Sequence, residues 1–255
     1  MNTKMVRYIL CRMLGVEAAL LLVPVLVAVI YQEKCGIVFL IPIGILCLLF
    51  WVAGRKRPEH GQIYGKEGMV IVARAWILWS LFGAMPFTLS GYIPSYVDAF
   101  FETVSGFTTT GSSIIPDVEV LPHCLLFWRS FTHWIGGMGV LVFVLVVTSL
   151  DRKNSMYLMR AEVPGPEKDK LVPKAMSTAR ILYGMYLTLT VIEMVFLVIG
   201  GMNLIDSMIF SFGSAGTGGF SNYADSVAHF NSAYIDGVIT VFCALFGVNF
   251  ALFYF

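Results

Sequence analysis

Two clusters of small, oxygen-rich residues carry the chemistry of this sequence. The first, Thr108-Thr-Thr-Gly-Ser-Ser113, follows a short apolar stretch over residues 96–106; the second, Ala215-Gly-Thr-Gly-Gly-Phe-Ser221, follows another over residues 204–214. A cation crossing lipid must exchange its hydration shell for other oxygens, and backbone carbonyls supply them without a net charge that would trap it. Such a loop needs a residue tolerant of unusual backbone angles, which places Gly111 and Gly218 at the centre of the two clusters. The candidate ion-facing residues are therefore Thr109, Thr110, Gly111 and Ser112 in the first cluster, and Gly216, Thr217, Gly218 and Gly219 in the second.

Something must carry these loops to membrane depth. Each preceding stretch is about eleven residues, roughly 16 Å of helix against a hydrocarbon core of about 30 Å, so it can enter a bilayer but not cross it. Loop backbone at that depth has to line a cavity or lie inside protein. A half-helix entering from one side also aims its negative C-terminal end at the loop, which favours a cation. The arrangement recurs about one hundred residues on: Asp98 matches Asp206 and Gly139-Val140 matches Gly247-Val248 at a spacing of 108, while Thr110-Gly111 matches Thr217-Gly218 at 107. One residue of slip between half-helix and loop accounts for the difference. Repeats of this kind point to a pore built by pseudo-symmetry.

The chain is 58% apolar and 13% charged, with a mean hydropathy of +0.80, which excludes a soluble domain and predicts an all-α polytopic membrane protein. A net charge of +1 gives no indication of a nucleic-acid partner. Of the seventeen Lys and Arg, all but Lys34 and Arg129 fall in residues 4–12, 55–74 and 152–180, alternating with acidic segments. By the positive-inside rule the N-terminus and both basic loops face the cytoplasm.

In chain order, an accessory hairpin occupies residues 1–57, with spans over 13–31 and 37–53; the first run is too long for a signal peptide. Glu17, near the cytoplasmic end of the first span, is placed to reach the interface or to pair with Arg12. The first pore repeat covers 58–150, with an outer helix over 69–89 whose Trp76 and Trp79 suit lipid or interface contact, and an inner helix over 124–150. A proline-bearing linker covers 151–177. The second repeat, 178–255, has its outer helix near 178–202 and its inner helix from about residue 236. That last helix would reach about 28 Å at Phe255, barely a span, so the chain reads as ending before its architecture does.

Other residues take structural readings. Arg129 is placed to pair with Glu102 or Asp98 and brace the half-helix. Glu193 lies within a span, where a carboxylate is a functional candidate by default, although a hydrogen bond to a neighbouring helix is the blander reading. The five cysteines show no CxxC spacing and read as packing residues, with a Cys35–Cys124 disulfide as the alternative. An intramembrane hydrolase using Ser112 or Ser113 with His133 lacks a nucleophile elbow and leaves the duplicated loop unexplained.

Ser105-Gly-Phe-Thr-Thr-Thr-Gly-Ser112, Trp128-Arg129 with Trp134-Ile-Gly-Gly-Met-Gly139, Ala161-Glu-Val-Pro-Gly-Pro166 and Gly216-Thr-Gly-Gly-Phe-Ser221 resemble the TrkH/KtrB family of bacterial potassium-uptake proteins. The resemblance runs from about residue 5 to the end. It implies a K⁺-channel-like fold of helix–pore-loop–helix repeats, potassium as the substrate at the filter residues, and no cofactor in this chain. It also implies residence in the cytoplasmic (inner) membrane, a homodimer, and a cytoplasmic nucleotide-binding regulatory subunit of the TrkA/KtrA type docking near the basic linker. Family members carry four repeats, whereas this sequence holds two. It therefore reads as a partial chain, with a transport-inactive fragment or assembly subunit as the alternative function.

Overall fold

A computed structural model describes residues 2–56, 58, 65–137, 139 and 175–248, with the side chains of Gly65 and residues 175–180 left aside. The linker over 151–174, the rest of the expected first inner helix beyond Gly139, and the chain beyond Val248 lie outside the described residues.

Helix α1, Thr3–Leu20, begins at Asn2, whose side chain accepts from the Met5 amide and so satisfies one free donor of the first turn. Helix α2, Leu22–Ile30, continues it past Pro24, and together they give an apolar span of 28 residues, Thr3–Ile30. The chain turns at Gln32 and returns through a 3₁₀ turn, Lys34–Phe39, helix α3, Leu40–Leu49, and a π turn, Phe50–Gly54. Close packing explains the small residues here: a β-carbon on Gly15 would lie 2.7 Å from the Phe50 ring. Glu17 departs from expectation. Its carboxylate is buried with no hydrogen-bond partner among the described residues, and Arg12 instead donates to the Tyr8 hydroxyl at 2.9 Å.

The first repeat comprises α4, Gly65–Leu89, the half-helix α5, Tyr96–Phe107, and α6, His123–Gly137. The second comprises α7, Ala175–Ile199, the half-helix α8, Leu204–Ala215, and α9, Ala233–Gly247. Helix α9 therefore starts three residues earlier than the sequence led us to expect. Both half-helices have 12 residues, and they are capped at matching positions: Ser95 accepts from the Asp98 amide and Asn203 from the Asp206 amide.

Polarity is inverted relative to a soluble protein. Leu26, Val29, Ile30, Val52 and Ile199 stand exposed on the outside, while Glu102, Arg129, His133 and Asp206 are buried. An apolar surface of this extent needs lipid or protein against it. Among the described residues, four helices are long and apolar enough to cross a membrane: the two of the hairpin, Lys66–Leu89 and Ile181–Ile199. Trp79 faces inward, contrary to expectation, because its ring fills the space beside the end of α5, meeting Phe107 edge-on at 5.6 Å. Trp128 closes the other side of Phe107 and donates its indole N–H to the Gly83 carbonyl at 2.9 Å. Helix α6 stops at Gly137, and Gly139 adopts a φ of +74°.

Candidate functional site

The two half-helices end alike. After α5, the Thr109 amide donates to the Gly106 carbonyl at 3.0 Å and the Thr110 amide reaches back to the Ser105 carbonyl at 2.9 Å. After α8, the Thr217 amide donates to Ser214 at 2.9 Å and the Gly218 amide to Gly213 at 3.1 Å. This is the paired bonding of a Schellman ending, whose turning residue is left-handed and is usually glycine. Here the turning residue is Thr109 in one repeat and Thr217 in the other, with φ of 55° and 54°. A β-branched residue in that region is a true outlier, costing about 1–2 kcal/mol.

Two residues further on, Gly111 and Gly219 take φ of +76° and +80°. The repeat therefore keeps one spacing, that of Asp98 to Asp206, from half-helix through loop. The slip inferred from the shared Thr-Gly pair does not exist, and the counterpart of Gly111 is Gly219 rather than Gly218. Thr110 and Gly218 are the matched pair.

The loops meet backbone to backbone. A β-carbon on Gly111 would collide with the Gly218 carbonyl, and one on Gly218 would strike the His133 ring and lie 3.0 Å from the Thr109 carbonyl. Carbonyl oxygens of both loops thus lie close together. Thr110 shares a hydroxyl hydrogen bond with Thr108 at 2.8 Å, and Ser112 is exposed. Thr217 and Gly219 are exposed, whereas Gly216 is buried and caps α8. Gly216 backs its loop: a β-carbon there would sit 2.7 Å from the His133 carbonyl.

Helix α6 is the wedge that holds both loops. Substituents on Gly106 or Gly136 would clash across the α5–α6 contact, with Thr132 and with the Phe107 carbonyl. Further along α6, Gly137 touches the backbone of Gly216 at 3.0 Å from its own β-carbon position. His133, fully buried with both ring nitrogens unpartnered among the described residues, stands edge-on to Phe220 at 4.0 Å. The sequence reading considered this residue as a partner for Ser112 or Ser113 and gave no sign that it packs behind the second loop.

Charge is spent on holding the loop exits. Buried Arg129 donates from Nε to Glu102 at 2.5 Å and from Nη1 to the Ser221 carbonyl at 2.9 Å, and its guanidinium lies 3.5 Å from the Phe220 ring centre. Glu102 also accepts from the Ser113 hydroxyl and the Ile114 amide, each at 3.0 Å. Ser113 is thus committed to Glu102, and neither ring nitrogen of His133 has a hydrogen-bond partner among the described residues, so neither Ser112 nor Ser113 is paired with it as a hydrolase would need. In the second repeat Asp206 accepts from Asn222 at 2.6 Å and from the Tyr223 hydroxyl at 2.9 Å. Burial and the bond to Asp206 push the Tyr223 phenol up to about 12, which keeps it a donor. This second network escaped the sequence reading, which used Asp206 only as a marker of the repeat.

A cavity of about 260 Å³ opens over the loops, lined by Gly111, Ser113, Arg129, Gly219, Ser221 and Tyr223 among others. Glu193 is not among its lining residues; it is buried on α7, and its carboxylate has no hydrogen-bond partner among the described residues.

Residues 38–255 match the profile of a family described as TrkH, cation transport protein. The chain is 36% identical over 238 residues to the Trk system potassium uptake protein TrkH of Escherichia coli K12, covering 91% of this chain and 49% of that protein. It is 35% identical over 260 aligned positions to TrkG of the same strain, covering 54% of that protein. Its structure superposes on the crystal structure of the potassium transporter TrkH from Vibrio parahaemolyticus with a TM-score of 0.82 and 29% identity, over 100% of this chain and 52% of that one. The chain spans about half the length of the curated relatives it matches.

Proposed function

The chain belongs to the TrkH family of cation transport proteins, and from that premise we propose that it forms part of a potassium-translocating pore in the cytoplasmic membrane. Carbonyls of the two loops replace the ion's hydration shell. The observation that carries this reading is the close approach of the loops, with Gly111 against the Gly218 carbonyl at the ends of two half-helices too short to cross a bilayer.

In this reading Thr109, Thr110, Gly111 and Ser112, with Gly216, Thr217, Gly218 and Gly219, supply or shape two filter segments. The corrected register assigns the parts. Thr109 and Thr217 turn the chain out of the helix, Thr110 and Gly218 follow, and Gly111 and Gly219 turn it again. Arg129 and Glu102 brace the exits. The chain spans about half the length of its relatives, and its two loops are two of the four filter segments that the family resemblance implies; the homodimer proposed is that of the full-length family. The N-terminus is cytoplasmic, from the distribution of Lys and Arg, which puts the hairpin tip at residues 31–36 outside. Boundaries at residues 57, 150 and 177 then separate hairpin, first repeat, linker and second repeat. A TrkA/KtrA-type regulatory subunit would dock on the cytoplasmic linker.

Expression in a potassium-uptake-deficient bacterium tests the proposal. Growth on low potassium should be restored by the chain and lost with Gly111→Asp or Gly218→Asp at equal membrane abundance. Unchanged rescue by both variants would refute the filter assignment.

A further inference from the structure

We propose, resting on the pore reading above, that Glu33 is a positioning residue for the pore: from the tip of the accessory hairpin it fixes the helix that holds both loops. A helix begins with amide donors that find no acceptor inside it. Ahead of α6 stands Pro122, whose side chain offers no oxygen. The Leu125 and Leu126 amides donate to the Pro122 carbonyl at 3.0 and 3.1 Å, which leaves those of His123 and Cys124. Glu33 takes both. Its Oε1 accepts from the His123 amide at 2.7 Å and its Oε2 from the Cys124 amide at 3.0 Å, across ninety residues of sequence. A negative charge is thereby set at the positive end of the helix.

The hairpin grips the same end of α6 twice more. His123 Nδ1 lies 2.9 Å from Glu33 Oε1, and because a carboxylate only accepts, the ring nitrogen donates. Tyr31 stacks on that imidazole at 4.2 Å. Glu33 is itself held by the closed tip, where Gln32 turns the chain with a φ of 55° and the Glu33 amide donates to the Ala28 carbonyl at 2.8 Å. Further along α6, Arg129 holds Glu102 and the Ser221 carbonyl, Gly136 lies against the Phe107 carbonyl and Gly137 against Gly216. Cys124 to Gly137 is thirteen residues, about 20 Å of continuous helix. A slide or tilt at the clamped end is therefore carried to the backbone of both loops, and the clamp sets how closely their carbonyls approach.

The test measures rubidium uptake and its competition by sodium for the chain and its variants at equal membrane abundance, with the thermal midpoint in detergent beside them. Glu33→Ala should raise the rubidium KM about tenfold and weaken the preference for rubidium over sodium. Adding Pro122→Asp gives α6 an N-cap of its own but no tie to the hairpin. The thermal midpoint should then return toward the parent's, while KM and ion preference stay at the Glu33→Ala values. Parental KM and preference in Glu33→Ala, or their recovery with the new cap, overturns the clamp, since the carboxylate would then do no more than cap a helix. If Glu33→Ala alone does not accumulate, the double variant decides by the same two readings. Gly111→Asp separates this from the pore reading: uptake that survives it refutes the pore, whereas uptake lost with it, beside an unaltered Glu33→Ala, refutes the clamp alone.

Discussion

Arg129 reaches from Glu102 of its own repeat to the Ser221 carbonyl of the next, so one buried side chain holds both loop exits at once. Breaking a buried pair from one side leaves a charge without compensation, at a cost of about 3–5 kcal/mol. Arg129→Met and Glu102→Gln should each lower thermal stability in detergent strongly. The double variant should lose less than the sum of the two, since neither charge is then stranded. Simple additivity would mean that the pair does not act as a unit.

The left-handed threonines are a second handle. Replacing Thr217 or Thr109 by glycine relieves a penalty of about 1–2 kcal/mol against a loss of about 0.5–1 kcal/mol from chain entropy. Stability should stay level or rise slightly. Transport should nonetheless lose potassium-over-sodium preference, measured by competition of the two ions in rubidium uptake, because the turn that sets the carbonyls is now free to relax. Retained preference with the glycine variants would show that the strained turn plays no part in selection.

Gly218 and His133 form a coupled pair. Gly218→Ala pushes a methyl group into the buried imidazole and should abolish uptake. Adding His133→Ala opens space behind the loop, and uptake should return in part despite a packing loss of about 2–4 kcal/mol. If the double variant is no better than Gly218→Ala alone, the imidazole is not what the methyl group meets.

Glu33 predicts a pH effect at the hairpin tip. Burial raises its pKa, but hydrogen bonds from the Cys124 and His123 amides and the His123 side chain outweigh that, and the net shift is downward. A carboxyl lowered in the folded state adds stability that is fully present above the ordinary carboxylate value of about 4.3 and is lost as pH falls through the lowered one. The stability gap between the parent and Glu33→Gln should therefore hold steady from neutral pH down to about 5 and close at lower pH. A gap independent of pH into the acid range would contradict the assignment.

Much of this was legible in the sequence because it depends on length and composition. Stretches over 96–106 and 204–214 were visibly too short to span, and their half-helices appear within a residue of the expected ends. Register was misread because the alignment followed the identity of Thr110-Gly111 with Thr217-Gly218, whereas the backbone follows the turning positions Thr109 and Thr217. Residue identity and backbone geometry diverge there, since glycine and threonine can occupy equivalent places. Trp79 reads as a lipid or interface residue because hydropathy cannot tell which face of an apolar helix meets protein. The Glu33 clamp on α6 and the placement of His133 depend on contacts across ninety residues or on packing depth, and a linear pattern records neither.

The most direct test is the position of a heavy potassium mimic. In crystals of the protein grown in thallium, anomalous density should lie between the loops, within about 3 Å of carbonyl oxygens in residues 109–111 and 217–219. Density confined to other parts of the molecule, in a protein that still transports thallium, would contradict the claim that these two loops hold the ion.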